Sequence, residues 1–97
     1  MGTDLDAETR LRVSSSVYAR PFGDEIVLLD FGRGEYFALD EVGAEVWRRI
    51  EKGESIGSIA RAIADAYDVT DVQAEKDIIS LISELESQSL VERASTT

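Results

Sequence analysis

An α+β domain of winged-helix-like order, a three-stranded antiparallel sheet followed by three helices, is the fold class that the sequence predicts. Three observations carry it. Short β-compatible runs punctuated by Pro21, Gly23, Gly32 and Gly34 occupy residues 17–39. Asp40 then opens a stretch with helical apolar periodicity. That periodicity is interrupted at Gly53 and again before Thr70, which divides it into three compact helices. At 97 residues the chain is one domain with a modest core.

Residues 1–12 carry no sustained period and read as a flexible N-terminal tail, with the domain over 13–93 and a C-terminal tail over 94–97. Val17-Tyr18-Ala19-Arg20 is a short first strand, stopped by Pro21 and the Gly23-Asp24 turn. Ile26-Val27-Leu28-Leu29 is a near-continuous apolar run, as a well-covered second strand requires. Gly32-Arg33-Gly34 supplies the backbone freedom for a tight return. Glu35 to Leu39 forms the third strand, with Phe37 and Leu39 on one face and Tyr36 and Ala38 on the other.

Asp40 is a good N-cap, because its carboxylate accepts from free amides of the first helical turn. Val42, Val46, Trp47 and Ile50 make the apolar stripe of that helix, and Gly53 ends it. Ser55 starts the second helix, with Ile56, Ile59, Ala60, Ile63, Ala64 and Tyr67 at three- and four-residue steps. Thr70 begins the third, and Gln73 stands where a capping box needs it. Its apolar face runs through Ile78, Leu81, Ile82 and Leu85, and Leu90 and Val91 close the domain.

Composition removes most chemistry. The chain has no cysteine and no histidine, so it lacks a thiolate nucleophile, the usual general base and the commonest metal ligand. The carboxylates are scattered over helix surfaces, and Asp65, Asp68 and Asp71 lack the alternate spacing of a calcium loop. Gly32-Arg33-Gly34 is too short to cradle a phosphate and precedes a strand, not a helix. No enzyme activity, catalytic residue, metal or cofactor is expected. With no apolar run near the roughly 18 residues of a membrane span, a cytoplasmic protein without membrane contact is expected.

A winged-helix order raises DNA binding, and the charges argue against it. The net charge is -10, and residues 71–89 of the would-be reading helix hold one base, Lys76, against five acids. Phosphates would repel such a helix from both sides of a groove. The acidity supplies solubility or suits a partner of basic character. What remains is a binding surface.

The run Val27-Leu28-Leu29-Asp30, then Gly34 to Ala44 read as GEYFALDEVGA, then Val46-Trp47, resembles the PqqD-like family of precursor-peptide recognition elements. The likeness continues to Asp77-Ile78, Leu81-Ile82, Leu85 and Leu90-Val91. Its aromatic strand and Val-Gly-Ala-x-x-Trp turn look most like stand-alone lasso-peptide members. The namesake of pyrroloquinoline quinone synthesis usually has a more proline-marked, less aromatic hairpin.

The resemblance implies that the leader segment of a ribosomally made precursor peptide adds as a strand beside the third strand, against the third helix. A separate modifying or leader-cleaving enzyme then acts on it. On this sequence the resemblance implies peptide-binding residues Glu35, Tyr36, Phe37, Ala38 and Leu39 on the strand. It implies Asp77, Ile78, Leu81, Ile82, Glu84 and Leu85 on the helix, and Val27 and Leu29 either floor the groove or merely pack the sheet. Periodicity alone expects Phe37, Leu39, Trp47, Ile78 and Leu85 in the core, and Tyr36 as the better contact. The other reading is a small adaptor subunit that holds a protein partner constitutively, a pyrroloquinoline-quinone-type peptide chaperone included. The chain is expected to be a monomer or weak dimer.

Overall fold

Alternation of side chains through residues 17–39 builds an antiparallel meander with one covered face and one open face. The computed structural model describes residues 5–94. Its elements are β1 (Leu11–Val13), β2 (Val17–Phe22), β3 (Glu25–Asp30), β4 (Glu35–Leu39), α1 (Glu41–Glu51), α2 (Ile56–Tyr67), α3 (Asp71–Ser87) and β5 (Val91–Arg93). The order β2-β3-β4 forms the sheet, and β1 pairs with β5 in a separate ribbon. This is the expected α+β architecture of a three-stranded antiparallel sheet and three helices.

The register decides which residues share a face. Ala19, Leu28 and Phe37 stand across from one another, as do Pro21, Ile26 and Leu39. Leu28, Ile26 and Leu39 are buried on that face. The next residues along, Tyr18, Leu29 and Tyr36 in one row and Arg20, Val27 and Ala38 in the next, lie on the opposite face. There Val27 and Leu29 are only half-buried, so β3 is covered on one side and not on both. Pro21 does not stop β2 but pairs with Ile26 inside it. Because β2 is an edge strand, the missing amide costs no bond that a neighbour needs.

Local chemistry sets each boundary. Gly34 takes a φ of +68° at the end of the β3–β4 turn, and its amide donates to the Asp30 carbonyl at 2.8 Å. Asp30 is buried, and its carboxylate accepts from the Gly32 amide at 3.0 Å and the Ser16 hydroxyl at 3.3 Å. The Gly43 amide donates to Asp40 Oδ1 at 2.8 Å and the Ser58 amide to Ser55 Oγ at 3.2 Å, so the N-caps of α1 and α2 form as expected. Thr70 Oγ1 accepts from the Gln73 amide at 3.1 Å, but Gln73 Nε2 turns outward to Asp77 Oδ1 at 2.9 Å. Only half of the capping box closes.

The core is one cluster in which Trp47, Leu28, Ile50, Ile56, Ile59, Ile82, Leu85 and Val46 are fully buried. Trp47 Nε1 reaches Glu51 Oε2 at 3.1 Å, which satisfies its donor at the core margin. The segment before β2 departs from the expected loose tail. Leu5 and Leu11 are buried, β1 pairs with β5, and the Gly57 amide donates to the Ala7 carbonyl at 2.8 Å. Two leucines spaced six apart gave no period to read, yet each fills a gap in the core. Residues 1–4 and 95–97 of the expected tails lie outside the described residues.

Candidate functional site

Among the described residues, β4 is hydrogen-bonded only to β3, so its outer edge is unpaired. An unpaired edge presents a row of amides and carbonyls that an extended peptide can satisfy. Beside it lies a groove of about 410 Å³ lined by Phe37, Ala38, Leu39, Asp40, Val42, Gly43, Leu81 and Glu84. β4, the first turn of α1 and the middle of α3 therefore meet around one space. At the other end of β4 a smaller cleft is lined by Asp30, Glu35, Tyr36, Phe37, Gln88 and Leu90. Arg33 closes that end by donating from Nη1 to the Gln88 carbonyl at 2.9 Å.

The expected strand residues divide by face. Phe37 is half-buried and Leu39 buried, and both line the groove. Tyr36 is 75% exposed and Ala38 exposed. Glu35 sits at the strand start, 3.8 Å from Arg33 Nε. On α3, Leu81 is half-buried and Glu84 exposed, and these two line the groove. Asp77 is exposed one turn before Leu81, on the same side of the helix.

The remaining expected positions lie elsewhere. Ile78, Ile82 and Leu85 are buried in the core and support the groove from beneath without surface of their own. Val27 and Leu29 are in the central strand and face away from α3, so they do not floor the groove. They belong to the open face of the sheet.

Sequence reasoning did not anticipate Asp40, Val42 and Gly43 as groove lining. Val42 fits the apolar stripe of α1 by spacing, but it stands in the first turn and is 37% exposed. Gly43 is buried, and a Cβ there would come within 3.2 Å of Leu39 Cδ2 and 3.3 Å of Asp40 Oδ1. A glycine in the first helical turn after a capping aspartate is the available signal that α1 and β4 approach closely.

The groove is acidic. Asp40 and Glu84 line it, and at the other end of β4 Glu35 lines the smaller cleft, where Arg33 is already engaged by Glu35 and the Gln88 carbonyl. Such a site favours an extended peptide with apolar side chains for the pocket and basic groups at the rim. No group of acids placed to hold a metal occurs among the described residues.

A larger open depression of about 640 Å³ lies among Arg49, Ser58, Arg61, Asp65 and Asp71. There Arg49 is bonded to Glu45 at 2.9 Å and to Glu54 at 3.1 Å. Burial disfavours the Arg49 charge, but these carboxylates outweigh it and raise its pKa. That depression is lined by an ion-paired cation and has no strand edge. The β4 groove is the better site.

The family model described as coenzyme PQQ synthesis protein D (PqqD) matches residues 25–91. The chain belongs to the PqqD family. The match runs from the start of β3 to the start of β5, and so includes both walls of the groove. Among solved structures, the fold is similar to that of TbiB1 in complex with the TbiA(beta) leader peptide. The identity is 33%, the TM-score 0.80, and the likeness covers 84% of this chain and 94% of that one. It is also similar to a lasso peptide synthetase B1 complexed with the leader peptide, at 26% identity and a TM-score of 0.80, over 86% of this chain and 98% of that one. No curated protein matches the chain.

Proposed function

We propose that this PqqD-family chain binds the leader segment of a ribosomally made precursor peptide by strand addition, in lasso-peptide-type biosynthesis. The leader pairs antiparallel with β4, and every second side chain enters the groove between β4, α1 and α3. The bound leader is presented to a separate modifying or leader-cleaving enzyme, and the chain itself performs no chemistry. The reading belongs to the cytoplasm, where precursor peptides are made. The observation that carries it is the unpaired β4 edge beside an apolar-floored groove, in a fold shared with two leader-peptide complexes.

Backbone pairing supplies affinity for any extended peptide, and the groove supplies selection. Phe37, Leu39, Val42 and Leu81 take an apolar anchor, while Glu35, Asp77 and Glu84 favour basic neighbours. Asp77 enters on its position alone, one turn before Leu81.

Titration with synthetic leader peptides from short reading frames adjacent to the gene tests the proposal. Amide shifts are expected over residues 35–39 and at Asp77, Leu81 and Glu84. Shifts concentrated on α2 or on the turn at 31–34 would refute strand addition at β4. Turnover of a precursor by the purified protein alone would refute the non-catalytic role.

A further inference from the structure

Backbone pairing along β4 does not by itself fix the register of an added strand. Amides and carbonyls repeat every two residues along the edge, so an extended peptide pairs equally well after a slip of two. A slip of one is excluded, because it would turn the apolar anchors of the peptide away from the groove. The lining does not exclude a slip of two. Phe37 lines both the groove and the smaller cleft beyond it, where Tyr36 and Leu90 continue the apolar wall. The register therefore needs a stop.

At the Leu39 end the edge itself finishes, because Asp40 caps α1 and, with Val42 and Gly43, lines the end of the groove. At the Glu35 end the stop is a side chain. Arg33 reaches from the β3–β4 turn across to the C-cap of α3, where Nη1 donates to the Gln88 carbonyl at 2.9 Å. Its Nε lies 3.8 Å from Glu35 Oε1, which holds the guanidinium beside the first residue of β4. The carbonyl that it meets stands at the negative end of α3, and α3 has no base of its own in its last turn. Arg33 supplies that cation across 55 positions of sequence and latches the turn to the helix. Between the two ends β4 offers five residues, about 17 Å of edge.

We propose that Arg33 is a register stop for the leader. By spanning the groove from turn to helix, it confines an added strand to residues 35–39 and turns the next part of the leader away from the sheet. In an antiparallel strand that next part is C-terminal, so the leader leaves the groove at Arg33. The proposal rests on strand addition at β4 and adds what selects one pairing from those that the edge allows. Arg33 is a positioning residue, acting through where the leader sits. Without its guanidinium the strand advances two residues and sets an apolar anchor against Phe37 and Leu90, next to the buried Asp30 carboxylate.

The chain has no cysteine, so a thiol-reactive nitroxide is carried by the leader alone. The test uses the full chain, isotope-labelled, and a synthetic leader from the adjacent precursor frame with a nitroxide on the residue just before the paired segment. Anisotropy of a fluorescein-labelled copy reads affinity, and paramagnetic broadening of amides reads register. The parent is expected to show broadening centred on Leu39 and Asp40. In Arg33→Ala a second population is expected, its centre moved two residues, about 7 Å, toward Phe37. Affinity is expected to stay within about threefold of the parent, because either register makes the same backbone bonds. Arg33→Lys keeps a cation that reaches the Gln88 carbonyl and is expected to restore the single register. Arg33 stands in an exposed turn, and denaturant midpoints show that both variants keep the fold. Unchanged broadening in Arg33→Ala overturns the proposal. A loss of affinity in step with a loss of stability, at unchanged register, overturns it too, because the latch would then only support the fold. Equal slippage in Arg33→Lys and Arg33→Ala also overturns it. Should the parent bind no leader, or show broadening away from β4, the strand-addition reading fails and the register stop with it, and the parent alone reveals that.

Discussion

Burial separates residues of the groove that are equivalent in sequence. Leu81 and Leu85 lie one turn apart on α3, yet Leu81 is half-buried beside the groove and Leu85 fully buried in the core. Leu81→Glu is therefore expected to leave the circular dichroism spectrum intact and to weaken leader binding by about 1–3 kcal/mol, roughly ten- to a hundredfold. Leu85→Ala is expected to cost about 2–5 kcal/mol of stability, read by denaturant unfolding. Equal losses of stability in both variants would contradict the assignment. Tyr67 offers a pH test. Its hydroxyl donates to Glu41 Oε2 at 3.3 Å, and burial, then the charges of Glu41, Glu45 and Asp24, raise its pKa. The folded state thus favours the neutral phenol. The stability it contributes is complete below about pH 10 and is lost as the pH rises through the higher folded-state value. Thermal midpoints measured from pH 8 to 11 should fall less steeply for Tyr67→Phe than for the parent.

Among the elements, the β1–β5 ribbon and α3 make the separable contributions. Leu11 is buried and β1 closes against β5, so residues 11–13 hold the end of the chain in place. Leu11→Ala is expected to cost about 2–5 kcal/mol. A cost near zero in urea unfolding would restore the reading of residues 1–12 as a loose tail. α3 carries one wall of the groove and is started by Thr70 with a single capping bond. Thr70→Ala is expected to lower stability by about 1 kcal/mol, with leader affinity little changed. A large loss of leader binding at unaltered stability would mean that the start of α3 touches the peptide.

At the scale of the molecule, charge governs which partners are admitted. α3 occupies the place of a DNA-reading helix in a winged-helix order, but its exposed surface presents Asp71, Asp77 and Glu84. With a net charge of -10, the protein is expected to give no sequence-dependent gel shift with duplex DNA at physiological salt. The same acidity is compatible with an extended peptide, whose backbone bonds to β4 need no net charge. No helix among the described residues is long and apolar enough to cross a membrane.

Periodicity and capping chemistry made the α1, α2 and α3 starts legible, because Asp40, Ser55 and Thr70 act within their own first turns. The faces of β4 were legible for the same local reason, since successive side chains of a strand must alternate. The pairing of β1 with β5 was not legible, because it joins residues some eighty positions apart through three-residue strands with too little pattern to read. The groove was legible in its walls and not in its floor. Spacing placed Ile78, Leu81, Ile82 and Leu85 on one stripe, and only the approach of β4 and α1 decided that Leu81 borders open space while the others are sealed. Val27 and Leu29 could be read as groove floor or as sheet packing because a continuous apolar run does not say which side the helices cover. That choice belongs to the packing of the sheet against α1, and it left their face open.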